Sequence, residues 1–499
     1  MAVIVHPESV NPMNTKTELP ENRASTPPPA QADERLSLKT KLSYGLGNVA
    51  VMVGKQAPKQ LSLPIYNVTL GVNAGYVGTV LALGRLVDAF TDPFVGHLSD
   101  GLSTRWGRRR PFIFMGAIFA GLFFATLWLC PRGLTPAGYL TWFIAASLMY
   151  YMMLSLFCVP WYALGYELAP NYDERTRLMA FPSILGPVGQ ILVSWLFPLT
   201  QLPIFTDTIH GIRWVGTGAG LVIVVFGLIP AFCLKERFGS AAASAGKKKP
   251  RPSFLAGVKS AVKNLPFVRL TAAVTTVLIG ASMVGGLGFY VFVYYLYGGD
   301  KTAGSVLLGW HMTIQLGANM VLAPFLSRLS VRFGKKEVFL AAIGWGCVRS
   351  ALLWFLLNPA HPWLVLINAV LMGVDNVAIF MLCHAMIADV CDVDERDNGS
   401  RREGLFGSLF SWVFKNGIAL SYAVSGFVLV WIGYSPAKGA AQLPRTMELM
   451  KTFYSAVPAA FFLLAFWVFY KYPIGRRVAT EVRAELDERR RATVAEGRP

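Results

Sequence analysis

Apolar segments of about twenty residues recur along most of this 499-residue chain, about twelve of them, and twenty residues is the length at which a helix crosses a ~30 Å hydrocarbon layer. A backbone in lipid must satisfy its own hydrogen bonds, which leaves helices or closed barrels. The segments are continuous apolar runs rather than ten-residue alternations, and that selects helices. Only 15% of residues are charged, against roughly 25% in soluble domains. The expected fold class is therefore an all-α integral membrane protein.

The formal charge of +18 raises the question of a nucleic-acid partner. The basic residues do not interleave with aromatics as a nucleic-acid groove requires, and no such partner is expected. They cluster instead in alternate connections: Arg105 to Arg110, Arg175 and Arg177, Lys247 to Arg251, Arg328 to Lys336, Arg401 and Arg402, and the C-terminal tail. The intervening connections carry isolated charges such as Arg132, Arg213, Lys301, Lys438 and Arg445. This is the positive-inside pattern, with membrane lipid as the partner of the charge. An even number of spans places both termini on the cytoplasmic side of the cell (inner) membrane. No basic stretch followed by an apolar core marks a cleaved leader. The six cysteines lie within or at the ends of apolar segments, without metal-like spacing, and read as small packing residues.

The chain divides into a disordered cytoplasmic tail over 1–37, an N-terminal half over 38–234, a basic cytoplasmic linker over 235–266, a C-terminal half over 267–472 and a charged, soluble cytoplasmic tail over 473–499. The halves echo each other. DPFVGHLSDGLSTRWGRRRPF at 92–112 is matched, with a gap, by APFLSRLSVRFGKKEVF at 323–339, and PNYDERTR at 170–177 by CDVDERDNGSRRE at 391–403. Two repeated six-helix halves around a central site are the plan of a secondary transporter.

The second span carries the strongest chemical signal. Asp88 and Asp92 are four residues apart, hence on one helix face, and Gly84, Gly96 and Asp100 extend the stripe. Pro93 cannot donate to the carbonyl of Ala89. A freed carbonyl beside two carboxylates suits a small hard cation, and two like charges one turn apart favour a cation or proton between them. A purely structural ion pair with Lys55, Lys59 or Lys415 is the competing reading. Lys415 lies about eleven residues into its span, roughly 16 Å along the axis and too deep to reach the interface; it is expected to balance charge near the acids. The repeat places Ala323 where the first half has Asp92, so the acid pair is specific to one half.

The first span is polar, with Lys55, Gln56 and Lys59 on a segment that must line a cavity. Two readings stand for its lysines: contact with an anionic or hydroxyl-rich substrate, or neutralisation of the second-span acids. His311, Gln315 and Asn319 recur every four residues, and Asp375, Asn376 and His384 give the tenth span a polar side. These form a second-half cavity wall, or polar glue between helices at ~0.6 kcal/mol per bond. Arg349 is a structural partner for Asp375. Trp161 and Tyr162, near a span end, read as interfacial anchors. Asp100, Arg105, Arg108 and Arg109, with Arg401 and Arg402 of the second half, form candidate cytoplasmic gate elements. No activated nucleophile, metal-ligand spacing or phosphate loop is present, so an enzyme is not expected, nor a cofactor.

Four stretches in order resemble a known family: KLSYGLGN, DAFTDPFVGHLSD with RWGRRRP, VPWYAL, and MIADVCDVDERDNGSRREGLFGSLFSWVFKNG over Met386 to Gly417. From Leu38 onward the sequence resembles the glycoside–pentoside–hexuronide:cation symporters of the major facilitator superfamily. The resemblance implies a twelve-helix fold in two six-helix halves and Na+ or H+ symport by alternating access. It also implies a cation site formed by Asp88, Asp92 and a fourth-span hydroxyl, Ser155, with Lys415 as the matching eleventh-span lysine. The family's galactoside-recognition positions fall on Met52, Cys158 and Ser183, none of which is the family residue. The expected substrate is thus a glycoside, oligosaccharide or uronide other than a simple galactoside, carried by a monomer. The alternatives are a carrier of a lysophospholipid or other amphiphile, and a non-transporting membrane sensor or scaffold.

Overall fold

A computed structural model describes residues 35–102, 104–169, 172–236, 261–399 and 402–495, and among these the regular structure is helical apart from an isolated bridge between Thr104 and Gly107. The N-terminal half holds α1 (Leu38–Ser62), α2 (Ala74–Gly101), α3 (Arg110–Trp128), α4 (Pro136–Leu168), α5 (Tyr172–Thr200) and α6 (Thr208–Cys233). The C-terminal half holds α7 (Leu265–Gly285), α8 (Lys301–Phe333), α9 (Lys335–Leu356), α10 (Val365–Asn398), α11 (Glu403–Trp431) and α12 (Pro444–Tyr470), and is followed by α13 (Arg476–Ala495). Helix α1 continues through wide π-type turns over Leu63–Thr69, and α7 continues past Gly286 to similar turns over Val291–Leu296. Prolines open α3, α4, α7 and α12 in their first turns, where a missing N–H costs nothing. Side-chain caps from Ser37, Asn73, Asn264 and Asp300 satisfy other free N–H groups.

Among the described residues, ten helices, α3 to α12, are long and apolar enough to cross a membrane. Helices α1 and α2 fall short of that standard through polarity, not length, at 25 and 28 residues. They carry Lys55 and Lys59, and Asp88 and Asp92, respectively. Both sit inside the bundle: α1 packs on α5 and α6, and α2 on α4 and α11. The expected count of twelve rests, for these two, on that position.

The repeat seen in the sequence recurs in backbone conformation. Gly107 and Gly334 close the equivalent turns after α2 and α8, with φ of 107° and 106°. That left-handed region favours glycine, and at each turn a Cβ would collide with a carboxylate, Glu236 or Glu337 respectively.

The halves meet along two helix pairs, α2 with α11 and α5 with α8. At the end away from the termini they share one apolar core. It runs from Ile65 and Val72 through Leu287, Tyr290, Leu307, Leu429 and Ile432. Tyr290 Oη donates to Asn67 Oδ1 across this boundary at 2.7 Å. At the terminal end the C-terminal half keeps a separate core, from Phe267 through Val338, Met386, Phe406 and Phe469 to Leu486. The bundle is therefore joined on one side and divided on the other.

Two local expectations are corrected. The tail beyond Pro473 is not simply a charged soluble segment, because α13 buries Val482 and Leu486, four residues apart on one face. Arg489 Nη1 also donates to the Arg396 carbonyl at 3.2 Å. Trp161 is not an interfacial anchor: it is 1% exposed and stacks on Tyr44 with ring centroids 4.7 Å apart. The tail over 1–34 and the linker over 237–260 lie outside the described residues. All six cysteines are free, and four are buried.

Candidate cation site and substrate cavity

Close approach of α2 to α4 builds the acid site. Gly84 lies against the Tyr151 ring, where any Cβ would overlap it. One turn further along α2, this proximity brings Asp88 and Asp92 to the fourth helix. Ser155 Oγ donates to Asp92 Oδ1 at 2.8 Å and lies 3.4 Å from Asp88 Oδ1. Thr91, whose hydroxyl donates to the Val87 carbonyl at 2.9 Å, is 3.1 Å from the same Ser155 oxygen. Two carboxylates and two hydroxyls thus converge from α2 and α4. An all-oxygen set of this kind is what a hard cation requires.

Each acid also has its own cationic neighbour. Arg85 Nη1 lies 3.4 Å from Asp88 Oδ2, and Arg85 Nη2 donates to the Lys55 carbonyl of α1 at 3.3 Å. Lys415 Nζ lies 3.5 Å from Asp92 Oδ2, reaching from α11 across the boundary between halves. Ser155 is 3% exposed, whereas the Asp92 carboxylate is 30% exposed and the Lys415 side chain 62%. A deep oxygen cluster therefore ends in an accessible ion pair.

Beside this site lies a cavity of about 650 Å³. Gln56 and Lys59 of α1 line it, as do His311, Gln315 and Asn319 of α8 and Asn376 of α10. Lys59 stands 5.2 Å over the Tyr422 ring, and Arg85 faces that ring at 6.0 Å, so Tyr422 separates the cavity from the acid site.

Two candidate cavity residues point elsewhere. Lys55 turns toward the fourth helix, 3.4 Å from Tyr162 Oη and 5.2 Å over its ring. Asp375 is 3% exposed and holds Arg349 through both oxygens, at 2.9 Å to Nε and 3.3 Å to Nη2. A buried carboxylate requires such a partner. Asp375 is thus the structural ion-pair residue of the two readings, while its neighbour Asn376 faces the cavity. His384 is exposed on α10, its Nδ1 2.9 Å from the Phe380 carbonyl.

Three of the candidate gate residues, Arg108, Arg109 and Arg402, have ion-pair partners in their own halves. Arg108 and Arg109 close on Glu167, the latter at 2.9 Å, and their backbone N–H groups donate to Glu236 at 2.7 Å each. Arg402 holds Asp394 in the second half, with Nε donating at 2.7 Å. Arg105 is exposed. The Asp100 side chain and Arg401 lie outside the described residues.

Sequence reasoning missed Arg85 and Thr91. Arg85 precedes Asp88 by three residues, a helical pairing distance that was open to inspection. Thr91 lies between the acids, and only the approach of α4 gives it a role.

A family model described as MFS/sugar transport protein matches residues 43–476. The chain is 27% identical over 464 residues to the glucuronide carrier protein homolog of Escherichia coli K12, covering 92% of this chain and 97% of that protein. It is 26% identical over 502 residues to the sodium-dependent lysophosphatidylcholine symporter 1 of Gallus gallus, covering 92% and 91%. Among solved structures, the fold is similar to a bacterial homologue of the human lysosomal transporter Spinster in an inward-facing, unoccupied conformation. That similarity has a TM-score of 0.62 at 14% identity, over 87% of this chain and 97% of the other. With the family model spanning most of its length, this multi-pass membrane chain belongs to the MFS/sugar transport protein family.

Proposed function

We propose that this chain is a cation-coupled symporter of a glycoside, oligosaccharide or uronide, working by alternating access as a monomer in the cell (inner) membrane. The observation that carries the reading is the Asp88–Asp92–Ser155 oxygen cluster, tied by Lys415 to the opposite half beside a 650 Å³ cavity. A cation in the cluster competes with Lys415 and Arg85 for the carboxylates. Its arrival thus changes contacts that both cross the halves and border the cavity. Substrate and cation then raise each other's affinity, as linkage requires. Two hydroxyls beside the acids favour Na+ as the coupling ion, since a proton needs only the carboxylates. The basic connections support a reading in which the termini, and the divided side of the bundle, face the cytoplasm; in that reading the conformation described is open inward.

Thermal stability of the purified chain against a ligand panel tests this. The panel holds neutral glycosides, uronates and lysolipids, each with Na+, with Li+, or with neither at low pH. A ligand that binds the folded state raises its stability. Stabilisation by a sugar or uronate only with one cation is the expected result. The apolar cavity wall formed by Leu81, Leu278, Leu308, Leu316 and Phe380, together with the lysolipid-named relative, supports an amphiphile carrier as the second reading; stabilisation by lysolipids alone would select it. Indifference to every cation would instead favour a non-transporting sensor.

A further inference from the structure

The cavity wall of the C-terminal half contains a directed chain of hydrogen bonds that ends on an unfilled donor. Arg349, held by Asp375, has only N–H groups to offer, so the atom of Asn368 that faces it at 3.1 Å from Nη1 is the amide oxygen, Oδ1. The other arm of that amide, Nδ2, is therefore a donor, and it faces His311 Nε2 at 3.3 Å. His311 Nε2 must accept. The imidazole is then neutral, and its proton rides on Nδ1. That nitrogen meets no hydrogen-bond partner and is itself buried in the cavity wall. His311 is 2% exposed, packs edge-on to Phe292 at 5.4 Å, and together with Arg349 and Asn368 lines the cavity. A buried N–H without an acceptor is an uncommon and costly arrangement.

We propose that the Asp375–Arg349–Asn368 chain fixes His311 as the Nδ1–H tautomer, and that this N–H, closed off in the conformation described, becomes the donor by which the C-terminal half selects an acceptor oxygen of the transported molecule when the carrier closes around it. This rests on the cavity being the substrate site. His311 is the specificity-determining residue; Arg349 and Asn368 are positioning residues that act through it. The direction of the chain is set by Arg349 and cannot be reversed, because a guanidinium has no acceptor. The N-terminal half, where Met52, Cys158 and Ser183 occupy the positions of the family's galactoside contacts, lines the cavity with Gln56 and Lys59; His311 adds a donor of fixed direction from the opposite half.

The first test needs no ligand. The full-length chain is labelled with ¹⁵N-histidine, and the His311 signals are those missing from the His311→Gln spectrum. Protonated Nδ1 with unprotonated Nε2 is expected. In Asn368→Leu, which removes the donor to Nε2, the ring is expected to relax toward the Nε2–H form that free imidazole prefers in water. An Nε2–H tautomer or a charged ring in the unaltered chain would overturn the inference.

The second test exploits side-chain geometry, since the amide nitrogen of Asn mimics Nδ1 and that of Gln mimics Nε2. Binding of 4-nitrophenyl β-D-glucuronide and 4-nitrophenyl β-D-glucoside is measured at fixed cation. His311→Asn should keep affinity within about threefold, and His311→Gln should lose roughly tenfold, for the glycoside whose acceptor is read. Equal losses in the two variants would sink the proposal. Failure of the unaltered chain to bind either glycoside would count against the sugar reading of the site, while the tautomer spectrum still decides this one.

Discussion

Lys415 Nζ sits 3.5 Å from Asp92 Oδ2, so one ion pair joins a helix of each half at the edge of the oxygen cluster. The pair is accessible at its lysine end and buried toward Ser155. That asymmetry makes it suited to exchange: an incoming cation can replace the ammonium without first opening the core.

Removing either acid should therefore disable coupling more than folding. For Asp92→Asn and Asp88→Asn, cation-driven accumulation in vesicles is expected to fall by about tenfold or more, while the protein still purifies in folded form. Full cation-driven accumulation in Asp92→Asn would remove the coupling role.

The hydroxyls separate a metal ion from a proton. Ser155→Ala and Thr91→Val each delete a neutral oxygen ligand and leave both carboxylates in place. If Na+ is the coupling ion, each should raise the Na+ concentration for half-maximal uptake by about three- to tenfold. Unchanged cation dependence in both variants would point to proton coupling.

Two ion pairs in this protein should respond oppositely to loss of the base. Lys415 is 62% exposed, and its pair with Asp92 should contribute under ~1 kcal/mol to stability; Lys415→Met should leave the melting temperature nearly unchanged and alter cation affinity. Arg349 and Asp375 are 6% and 4% exposed, and Arg349→Met would strand a buried carboxylate at a cost of about 3–5 kcal/mol. A paired chemical-denaturation series on the two variants checks the contrast.

The joined side of the bundle depends on contact without side chains. Gly426 lies against the Ala74 carbonyl, and a Cβ on Gly78 would stand 2.6 Å from the Tyr422 carbonyl. Gly426→Leu should force α2 and α11 apart, costing ~1–3 kcal/mol as overpacking does. Cysteines introduced on that face should then be labelled faster by a membrane-impermeant reagent from outside the cell. Unchanged labelling would show that this contact does not hold the side closed.

Much of this architecture was legible in the sequence, because apolar run length and basic connections report directly on lipid. Every proline that opens a helix, and the repeated turn glycines Gly107 and Gly334, stand in plain view. The acid pair on one face of α2 followed from spacing alone. Contacts between helices were another matter. Ser155 entered only by resemblance, and Thr91 not at all, because nothing in α2 reveals which face of α4 it meets. Lys55 and Lys59 read alike in sequence, yet one meets Tyr162 and the other lines the cavity, a difference set by what each finds on the neighbouring helices. Asp375 and Asn376 are adjacent, and so face different directions; only the position of Arg349 decides which is structural. The helical tail was hidden by its composition, since two apolar residues suffice to dock it.

The polarity of α1 and α2 has a consequence for how the protein is made. A helix bearing Lys55 and Lys59, or Asp88 and Asp92, partitions poorly into lipid by itself. These two leave the ribosome before the helices that shield them: α4 supplies Ser155 and Tyr162, and α5 and α6 cover α1. The opening pair must therefore wait at the edge of the insertion machinery until the rest of its half is synthesised. The residues proposed to equip this half for transport are the same ones that make its biogenesis cooperative.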